Sequence, residues 1–369
     1  MQIDSTILKS DESTALRLRS LYNSFGYSQY KMSKFEEYAL YVKNKDFLVS
    51  DGIISFTDTN GRLLALKPDV TLSIINNSKD VEGQVQKLYY DENVYRISGS
   101  THSYKEIKQT GLECIGDVGF DEICEVILLA IRSLESISSS FVFELSHVGI
   151  METVFNELEL SGETKKTVLS CIKSKNEDDL FKLVKEEKLS LTNAKKLSVF
   201  MKSFISFEEA VSSLKDVCGE ICTQQLKEFE DILMFLKQFG FETKIKVDFS
   251  SANTMSYYSG VAFSGYVEGI PTKVVSGGRY DKLMKKMGRS SGAIGFAVYL
   301  DNLERYNFEQ REFDVDVLLL HSGNTVMALK TAENLSKNGE TVRVCSFVPN
   351  GLTYRRLIKL EEFLESEGK

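Results

Sequence analysis

The sequence predicts an α+β fold, in which antiparallel hairpins and helices occupy different stretches of the chain. Three observations support this prediction. Polar and apolar residues alternate through Lys87–Asp117 on both sides of a polar turn, which is typical of a hairpin. The block 151–240 is dominated by lysine, glutamate, leucine and serine, contains no proline and few glycines, and is therefore predicted to be helical. The final stretch has a strand, helix and strand pattern.

Length and composition indicate a globular protein with an ordinary core. The 369 residues are 42% hydrophobic and 27% charged, which leaves room for two or three substructures. The net charge of −8 gives no general attraction to polyphosphate, and the one dense basic cluster, Lys282–Arg289, is typical of a solvated helix face. The sequence has no run that could cross a membrane and no signal-peptide core, so we expect a cytoplasmic protein.

The cysteines and histidines form no recognisable metal or disulfide pattern. The six cysteines lack CxxC spacing, so neither a disulfide framework nor a zinc site is expected. The three histidines are far apart in the sequence, which argues against a histidine metal site or a catalytic triad. We therefore expect no metal and no cofactor.

The N-terminal part is predicted to contain one helix followed by short strands. Asp11–Phe25 has apolar residues at helical spacing and is followed by Gly26, which can end the helix. Strands are then predicted over 27–32, 47–58 and 63–66, the last two joined by the turn Asn60–Gly61.

A strand is predicted to turn into a helix at Lys67–Pro68. The proline forces an extended residue before it and presets the first turn of a helix that starts near Leu72. At this junction the side chains of Asp69 and Thr71 either cap the helix or face a pocket. Capping is the more common role for such residues.

The central hairpin is predicted to have strands over 88–97 and 104–115, joined by a polar turn over 98–103. With a period of two, Gln109, Gly111 and Glu113 share one face of the return strand. Gly111, between two polar side chains, would leave room for a ligand to lie against the backbone. The alternative is an ordinary hairpin with a solvated face.

The remaining elements follow from the same rules. Helices are predicted over 120–136, over six segments of the block (151–160, 163–174, 176–187, 192–203, 206–215 and 220–239), and over 282–287 and 330–338. Strands are predicted over 141–150, 244–249, 261–267, 272–277, 293–299, 315–321 and 341–347. The paired glycines Gly277 and Gly278 allow a close approach of the backbone to a neighbour or a ligand. The helical block is expected to serve packing and surface roles, without chemistry.

Five segments follow, in order, the landmarks of a known catalytic domain. They are LKPDVT, the LYYDENVYR and IKQTGLE strands, the Tyr-Tyr-Ser-Gly segment, SGGRYD and AIGFAVYLDNL. Over about residues 10 to 306 the chain resembles histidyl-tRNA synthetase. The resemblance implies a class II aminoacyl-tRNA synthetase-like antiparallel sheet flanked by helices. It implies a domain over 1–311, with the helical insertion 151–240, and a small truncated α/β domain over 312–369.

The chain departs from the synthetase pattern where nucleotide chemistry would take place. Arg96 matches the arginine that binds the α-phosphate, but the hairpin loop Ser98–Ser103 has no arginine or lysine. Two further arginines of the family are replaced by Asn253 and Asn302. Losing one such cation typically costs about 10²-fold or more in rate. The resemblance therefore argues against aminoacylation, and we expect no catalytic residues.

The amino-acid pocket of the family is largely kept. The resemblance implies a histidine-binding set of Asp69, Thr71, Arg96, Gln109, Glu113, Tyr257, Tyr258 and Tyr280. In it, Gln109 and Glu113 match the pair that holds the α-amino group, and the tyrosines match aromatic positions around the imidazole. Asp69 stands where the family has a glutamate. Carboxylates and hydroxyls suit this ligand because its ammonium and ring N–H groups are donors.

A synthetase-like chain with a histidine pocket and without nucleotide chemistry resembles the family of ATP phosphoribosyltransferase regulatory subunits. This resemblance implies a chain without activity of its own that joins the short-form catalytic subunit in a hetero-octamer. It implies activation of that subunit and feedback inhibition by L-histidine in the first step of histidine biosynthesis. A self-dimer through about residues 11–41 is also implied.

Two alternatives remain open. A divergent histidyl-tRNA synthetase predicts histidine-dependent exchange of pyrophosphate into ATP, against which Asn253 and Asn302 argue. A stand-alone paralogue would bind histidine or tRNA without a phosphoribosyltransferase partner, and the acidic net charge argues against tRNA.

Overall fold

The structure is a computed structural model and describes residues 8–48, 52–78, 83–98, 101–250, 257–303 and 312–367. The chain divides into two compact units, Met1–Asn307 and Phe308–Lys369. No helix in these described ranges is long and apolar enough to cross a membrane.

A large, mostly antiparallel sheet forms the centre of the first unit. Its described strands follow the order β1-β5-β6-β12-β11-β10-β7-β9-β8, and only the pairs β1–β5 and β7–β9 are parallel. The strands are β1 Ser28–Gln29, β5 Val85–Ile97, β6 Tyr104–Gly116, β7 Phe141–His147, β8 Ser203–Phe204, β9 Ile245–Asp248, β10 Val261–Val267, β11 Val275–Arg279 and β12 Gly292–Tyr299. Both predicted hairpins, β5–β6 and β10–β11, are confirmed.

A second, small antiparallel sheet has the order β2-β4-β3, with β2 Phe35–Glu37, β3 Ser55–Thr57 and β4 Leu63–Leu66. The strand predicted over 47–58 is wrong in its first part, since Lys45–Phe47 form a 3-10 turn and residues 49–51 lie outside the described ranges. The ring of Phe47 packs against that of Tyr257, with centroids 6.1 Å apart. Phe47 therefore lies beside Tyr257 and not in a strand ladder.

Helices cover both faces of the large sheet and form the predicted block. Those described in the first unit are α1 Ser10–Ser24, α2 Tyr38–Lys43, α3 Val70–Asn77, α4 Phe120–Ile137, α5 Val148–Glu157, α6 Gly162–Ser174, α7 Glu177–Lys185, α8 Leu191–Ser198, α9 Phe207–Cys218, α10 Thr223–Gln238 and α11 Asp281–Lys286. The apolar stripe of α4 is fully buried against the sheet. The six predicted helices of the block, α5 to α10, are confirmed.

Two predictions, one for the strand before the block and one within the block, are wrong. The strand predicted over 141–150 ends at His147, because the Nδ1 atom of His147 accepts a hydrogen bond from the Ile150 N–H (3.3 Å) and caps α5. The block is not entirely helical, since β8 (Ser203–Phe204) pairs with β9 at the edge of the large sheet.

The second unit contains a parallel sheet of order β14-β13-β15 with two described helices. Its elements are β13 Val315–Leu320, α12 Thr325–Lys337, β14 Val342–Cys345, β15 Tyr354–Lys359 and α13 Leu360–Glu367. The helix between two strands is confirmed. β15 and α13 were not predicted. Three of the six residues of β15 are cationic and four are exposed, so this strand carries no clear apolar face.

The alternation of side chains along β6 separates a core from a cavity. Leu112 and Cys114 point into the main core with α4, whereas Gln109 and Glu113 point to the opposite face. Because successive strand residues face opposite sides, the odd-numbered positions of β6 form the floor of the site described next.

Candidate functional site

A cavity of about 510 Å³ lies against this face of the sheet. It is lined by residues from the small-sheet region, α3, the two central hairpin strands, α6, the segment before β10, and β11 and β12 with their flanking residues. All eight residues of the predicted set line it, namely Asp69, Thr71, Arg96, Gln109, Glu113, Tyr257, Tyr258 and Tyr280. The fold therefore brings together side chains that are up to about 200 positions apart in the sequence.

Glu113 is the most enclosed acidic group of the cavity, with 2% of its surface exposed. Its Oε1 accepts a hydrogen bond from the Thr71 hydroxyl (2.7 Å), and its Oε2 accepts one from the Tyr280 hydroxyl. On the neighbouring strand, a Cβ atom added at Gly295 would lie 1.8 Å from Glu113 Oε2. A glycine at that position is therefore a condition for the placement of the carboxyl group.

Burial controls the charge of Glu113. It raises the pKa of this carboxyl to about 8, against the lowering effect of the hydrogen bonds from Tyr280 and Thr71. In the free protein at neutral pH, Glu113 is therefore mostly protonated. A cationic ligand beside it would favour the ionised form.

Asp69 combines the two roles considered for it. Its Oδ1 accepts a hydrogen bond from the Leu72 N–H (3.0 Å) and caps α3, while its Oδ2 lies 4.0 Å from a terminal nitrogen of Arg96. Burial raises the pKa of Asp69, and the charge of Arg96 opposes that rise. Arg96 is fixed in turn by donating from Nε to the Pro68 carbonyl (2.9 Å).

Gln109 brings an unsatisfied polar group to the cavity. The residue is 3% exposed, and its Nε2 has no hydrogen-bond partner among the described residues. A buried polar atom without a partner costs about 1–3 kcal/mol. The Gln109 amide thus has a hydrogen-bond donor available to a ligand that enters the cavity.

Three tyrosines form an aromatic wall beside Glu113. The ring of Tyr257 lies edge-on to that of Tyr258 (centroids 4.9 Å apart) and tilted against that of Tyr280 (5.8 Å). Burial raises the pKa of all three hydroxyls, so they remain neutral hydrogen-bonding groups. This wall can hold a flat ring while the carboxyl of Glu113 contacts its polar edge.

Comparisons with known proteins agree with this architecture. A family model described as histidyl-tRNA synthetase matches residues 7–303. The ATP phosphoribosyltransferase regulatory subunit of Caldanaerobacter subterraneus is 30% identical over 292 residues, which are 78% of this chain and 76% of the relative. The chain belongs to the ATP phosphoribosyltransferase regulatory subunit family.

Solved structures show the fold of this family. A regulatory subunit/histidyl-tRNA synthetase from Bacillus halodurans superposes with a TM-score of 0.74 at 24% identity, covering 95% of this chain and 93% of its own. A chain of the ATP phosphoribosyl transferase (HisG:HisZ) complex from Thermotoga maritima gives a TM-score of 0.63 at 20% identity, covering 78% of this chain and 96% of its own. The predicted class II synthetase-like fold is confirmed.

One expectation for this cavity is wrong. The space over Gly111 is not open to a ligand, because a Cβ atom there would lie 2.6 Å from the Tyr90 hydroxyl and 2.2 Å from the Phe296 carbonyl oxygen. Tyr90 is the cross-strand partner of Gly111, so its ring fills the gap that the glycine leaves.

Three further residues line the cavity and were not predicted from the sequence. Tyr299 shares the face of Gly295 on β12, and a period of two would have found it. Lys273 precedes β11, and Lys173 comes from α6 of the block that was expected to carry no chemistry. No local pattern distinguishes Lys173 from the other exposed lysines of that block.

Asparagine replaces a synthetase arginine at two positions, of which the structure describes one. Asn253 lies outside the described residues. Asn302 donates from Nδ2 to the Lys273 carbonyl oxygen (3.0 Å), so its amide supports the backbone and supplies no charge. Among the described residues, no three His, Cys, Asp or Glu side chains come close enough to hold a metal ion.

Proposed function

We propose that this chain is a non-catalytic subunit that activates a short-form ATP phosphoribosyltransferase catalytic subunit and mediates feedback inhibition by L-histidine. One observation carries the proposal. A cavity is lined by all eight residues expected to bind histidine, while position 302, where the resemblance implies a phosphate-binding arginine, holds a neutral asparagine bonded to the backbone. This combination suits a protein that binds histidine without converting it to an adenylate.

The polar groups of the cavity suit L-histidine. The ligand presents an ammonium and ring N–H groups as donors, and Glu113, Asp69 and the tyrosine hydroxyls are acceptors. Because the Tyr280 hydroxyl bonds directly to Glu113, we assign Glu113 to the imidazole rather than to the α-amino group. Asp69, at the start of α3, is then the carboxylate available to the ammonium.

The absence of catalysis rests on electrostatics. Transfer at phosphorus needs preorganised cations around the triphosphate, and the loss of one costs about 10²-fold or more. The substitution at position 302 removes such a cation, and its amide is already engaged. The chain is therefore expected to bind histidine without forming an adenylate.

Regulation requires a difference in affinity between two states. Histidine inhibits the complex only if it binds one arrangement of the subunits more tightly than another. A 100-fold difference corresponds to about 2.7 kcal/mol. We propose that this coupling takes place in a cytoplasmic hetero-octamer containing a self-dimer of this chain, and that tRNA is not a ligand.

Reconstitution tests the proposal. Pyrophosphate release from ATP and phosphoribosyl pyrophosphate is followed for a short-form catalytic subunit, with and without this chain. The chain should raise the rate, and inhibition by L-histidine should require the chain. The Glu113→Ala variant should keep the activation and lose the inhibition.

Other results would favour the alternatives. Histidine-dependent exchange of pyrophosphate into ATP by the chain alone would indicate a divergent histidyl-tRNA synthetase. Histidine binding without any effect on the catalytic subunit would indicate a stand-alone histidine-binding protein. Either result contradicts the proposal.

A further inference from the structure

The cavity has two ends of different chemistry along the sheet. On β6, Glu113 and Gln109 are four residues apart, a distance of about 13 Å between their Cα atoms. Their partners on β12 are Gly295 and Tyr299. We call the end around Glu113 the acidic end; it is formed by Glu113, Thr71 and Tyr280. We call the second, around Gln109 and Tyr299, the cationic end. Arg96 lies close to Tyr299 and Lys273 there, and Lys173 lines the same cavity from α6.

Lys273 has no acidic partner among the residues that the structure describes. Its Nζ donates to the Ser276 hydroxyl (3.1 Å), and no described acidic group lies within ion-pair distance of it. The residue is exposed as a whole, but its ammonium is buried, and this burial lowers the pKa of Lys273. The nearby charge of Arg96 lowers that pKa further, by a smaller amount. Two cations close together disfavour each other, and a bound anion relieves that repulsion.

Arg96 reaches the same end of the cavity. Burial raises the pKa of Tyr299, and the charge of Arg96 beside it opposes the rise. The only described carboxylate near Arg96 is that of Asp69, at 4.0 Å, which is too long for a hydrogen bond. Its pairing within the protein is therefore incomplete.

Gln109 gives an independent indication of a ligand at this end. It is the cross-strand partner of Tyr299, and its buried Nε2 lacks an acceptor among the described residues. A buried amide N–H that shares a cavity with cationic side chains suits an anionic oxygen as ligand. A carboxylate has two such oxygens and can accept from Gln109 and a lysine at once.

Lys173 approaches the cavity from the helical block, and its helix is anchored on the sheet. Lys175, directly after the end of α6, donates from Nζ to the buried carboxylate of Asp248 and to the Ser203 hydroxyl. Asp248 ends β9, so these bonds tie the end of α6 to the large sheet. The anchor fixes the helix turn that carries Lys173.

We infer that Lys273, assisted by Lys173 and Gln109, binds the carboxylate of the amino-acid ligand and so takes the place of the arginine that is replaced by Asn253. This assignment rests on the proposed function, since it presumes that histidine occupies the cavity. It makes the two lysines specificity determinants for an amino acid over the corresponding amine or alcohol. It also gives the helical block a part in ligand binding.

Paired titrations test the inference. L-histidine and L-histidinol, in which a hydroxymethyl group replaces the carboxylate, are titrated calorimetrically into the full chain and its variants. Lys273→Met should weaken L-histidine binding about tenfold, as expected for the loss of one charge-assisted hydrogen bond. Lys173→Met should weaken it about threefold, because the Lys173 side chain is exposed. L-histidinol affinity should change by less than about twofold in both variants.

The control is Lys166→Met. Lys166 is exposed on α6, about two helical turns before Lys173, and does not line the cavity. Its variant should bind both ligands as the wild type does.

The outcomes separate the two proposals. Equal losses for L-histidine and L-histidinol in Lys273→Met, or no loss for either, would overturn the carboxylate assignment while histidine binding by the wild type upheld the proposed function. Failure of the wild type to bind L-histidine, alone and with the catalytic subunit, would overturn both. Circular dichroism of each variant shows that a loss does not come from unfolding.

Discussion

The acidic and cationic ends of the cavity differ in burial and in how their charges are satisfied. Glu113 is 2% exposed and accepts two hydrogen bonds within the protein. By contrast, Lys173 is exposed, Lys273 is exposed except around its ammonium, and neither has an acidic partner among the described residues. Charges in water are screened, while a buried group that loses its partner bears the full cost of desolvation. The acidic end should therefore dominate affinity, and the cationic end should refine the choice of ligand.

The strongest test of this comparison is Gly295→Ala, which removes the space that Glu113 occupies. The new Cβ would lie 1.8 Å from Glu113 Oε2 and 2.5 Å from the Leu112 carbonyl oxygen. We expect a loss of about 1–3 kcal/mol in the free energy of unfolding from overpacking. Histidine affinity should fall more than about 100-fold, measured by calorimetry on the folded variant.

Gly162→Ala is the matched control, because nothing lies within 4 Å of a Cβ atom at Gly162. Its stability and affinity should match the wild type. Wild-type affinity in Gly295→Ala would mean that the position of Glu113 does not matter.

Glu113→Ala tests the acidic end without adding volume. Two hydroxyls, those of Thr71 and Tyr280, lose their acceptor. Histidine affinity should fall about 100-fold, or about 2.7 kcal/mol. Glu106→Ala, an exposed change on the same strand outside the cavity, is the control and should alter affinity less than about twofold. An equal effect of the two substitutions would remove Glu113 from the site.

The raised pKa of Glu113 predicts a pH dependence of stability. The folded state has a pKa of about 8 and the unfolded state about 4.5, so the folded state binds more protons between these values. Stability from this group is complete below pH of about 4.5 and is lost as the pH rises towards about 8. Relative to Glu113→Gln, the wild type should lose up to about 2 kcal/mol between pH of about 5.5 and about 7.

Urea unfolding of both proteins across this range measures the difference. If the two stability curves run parallel, Glu113 titrates near its ordinary value and the acidic end is wetter than described.

The smallest expected effect comes from loosening α6. In Asp248→Asn the carboxylate that holds Lys175 is lost, while the side-chain size is kept. We expect a stability loss of about 1 kcal/mol and a threefold or smaller loss of histidine affinity, which acts through Lys173. In the double variant with Lys173→Met the affinity loss should not exceed that of Lys173→Met alone. Additive affinity losses would show that the anchor and Lys173 act separately.

The two ends also differ in how far the sequence predicts them. The β5–β6 hairpin follows from local alternation and a polar turn, and its strand ends are correct to within about three residues. The gathering of Glu113 and Tyr280 depends on tertiary structure, and only the family resemblance predicted it. At the cationic end Arg96 and Gln109 were predicted, but both lysines were missed, because Lys173 looks like any lysine on a solvated helix face and Lys273 lies in a loop between strands.

The errors have physical causes that lie outside local sequence patterns. Tyr90 fills the space over Gly111, a contact that depends on strand register rather than on either residue alone. His147 ends a strand by capping a helix through its imidazole, a role that serine, threonine or aspartate usually serves. In each case a cross-element contact decided the conformation.

The most direct test of the account is a calorimetric titration of L-histidine into the purified chain, without and with ATP, followed by an assay for released pyrophosphate. We expect histidine to bind in the absence of ATP and no pyrophosphate to be released in its presence. Histidine-dependent release of pyrophosphate would contradict this expectation, because the site would then still activate its ligand.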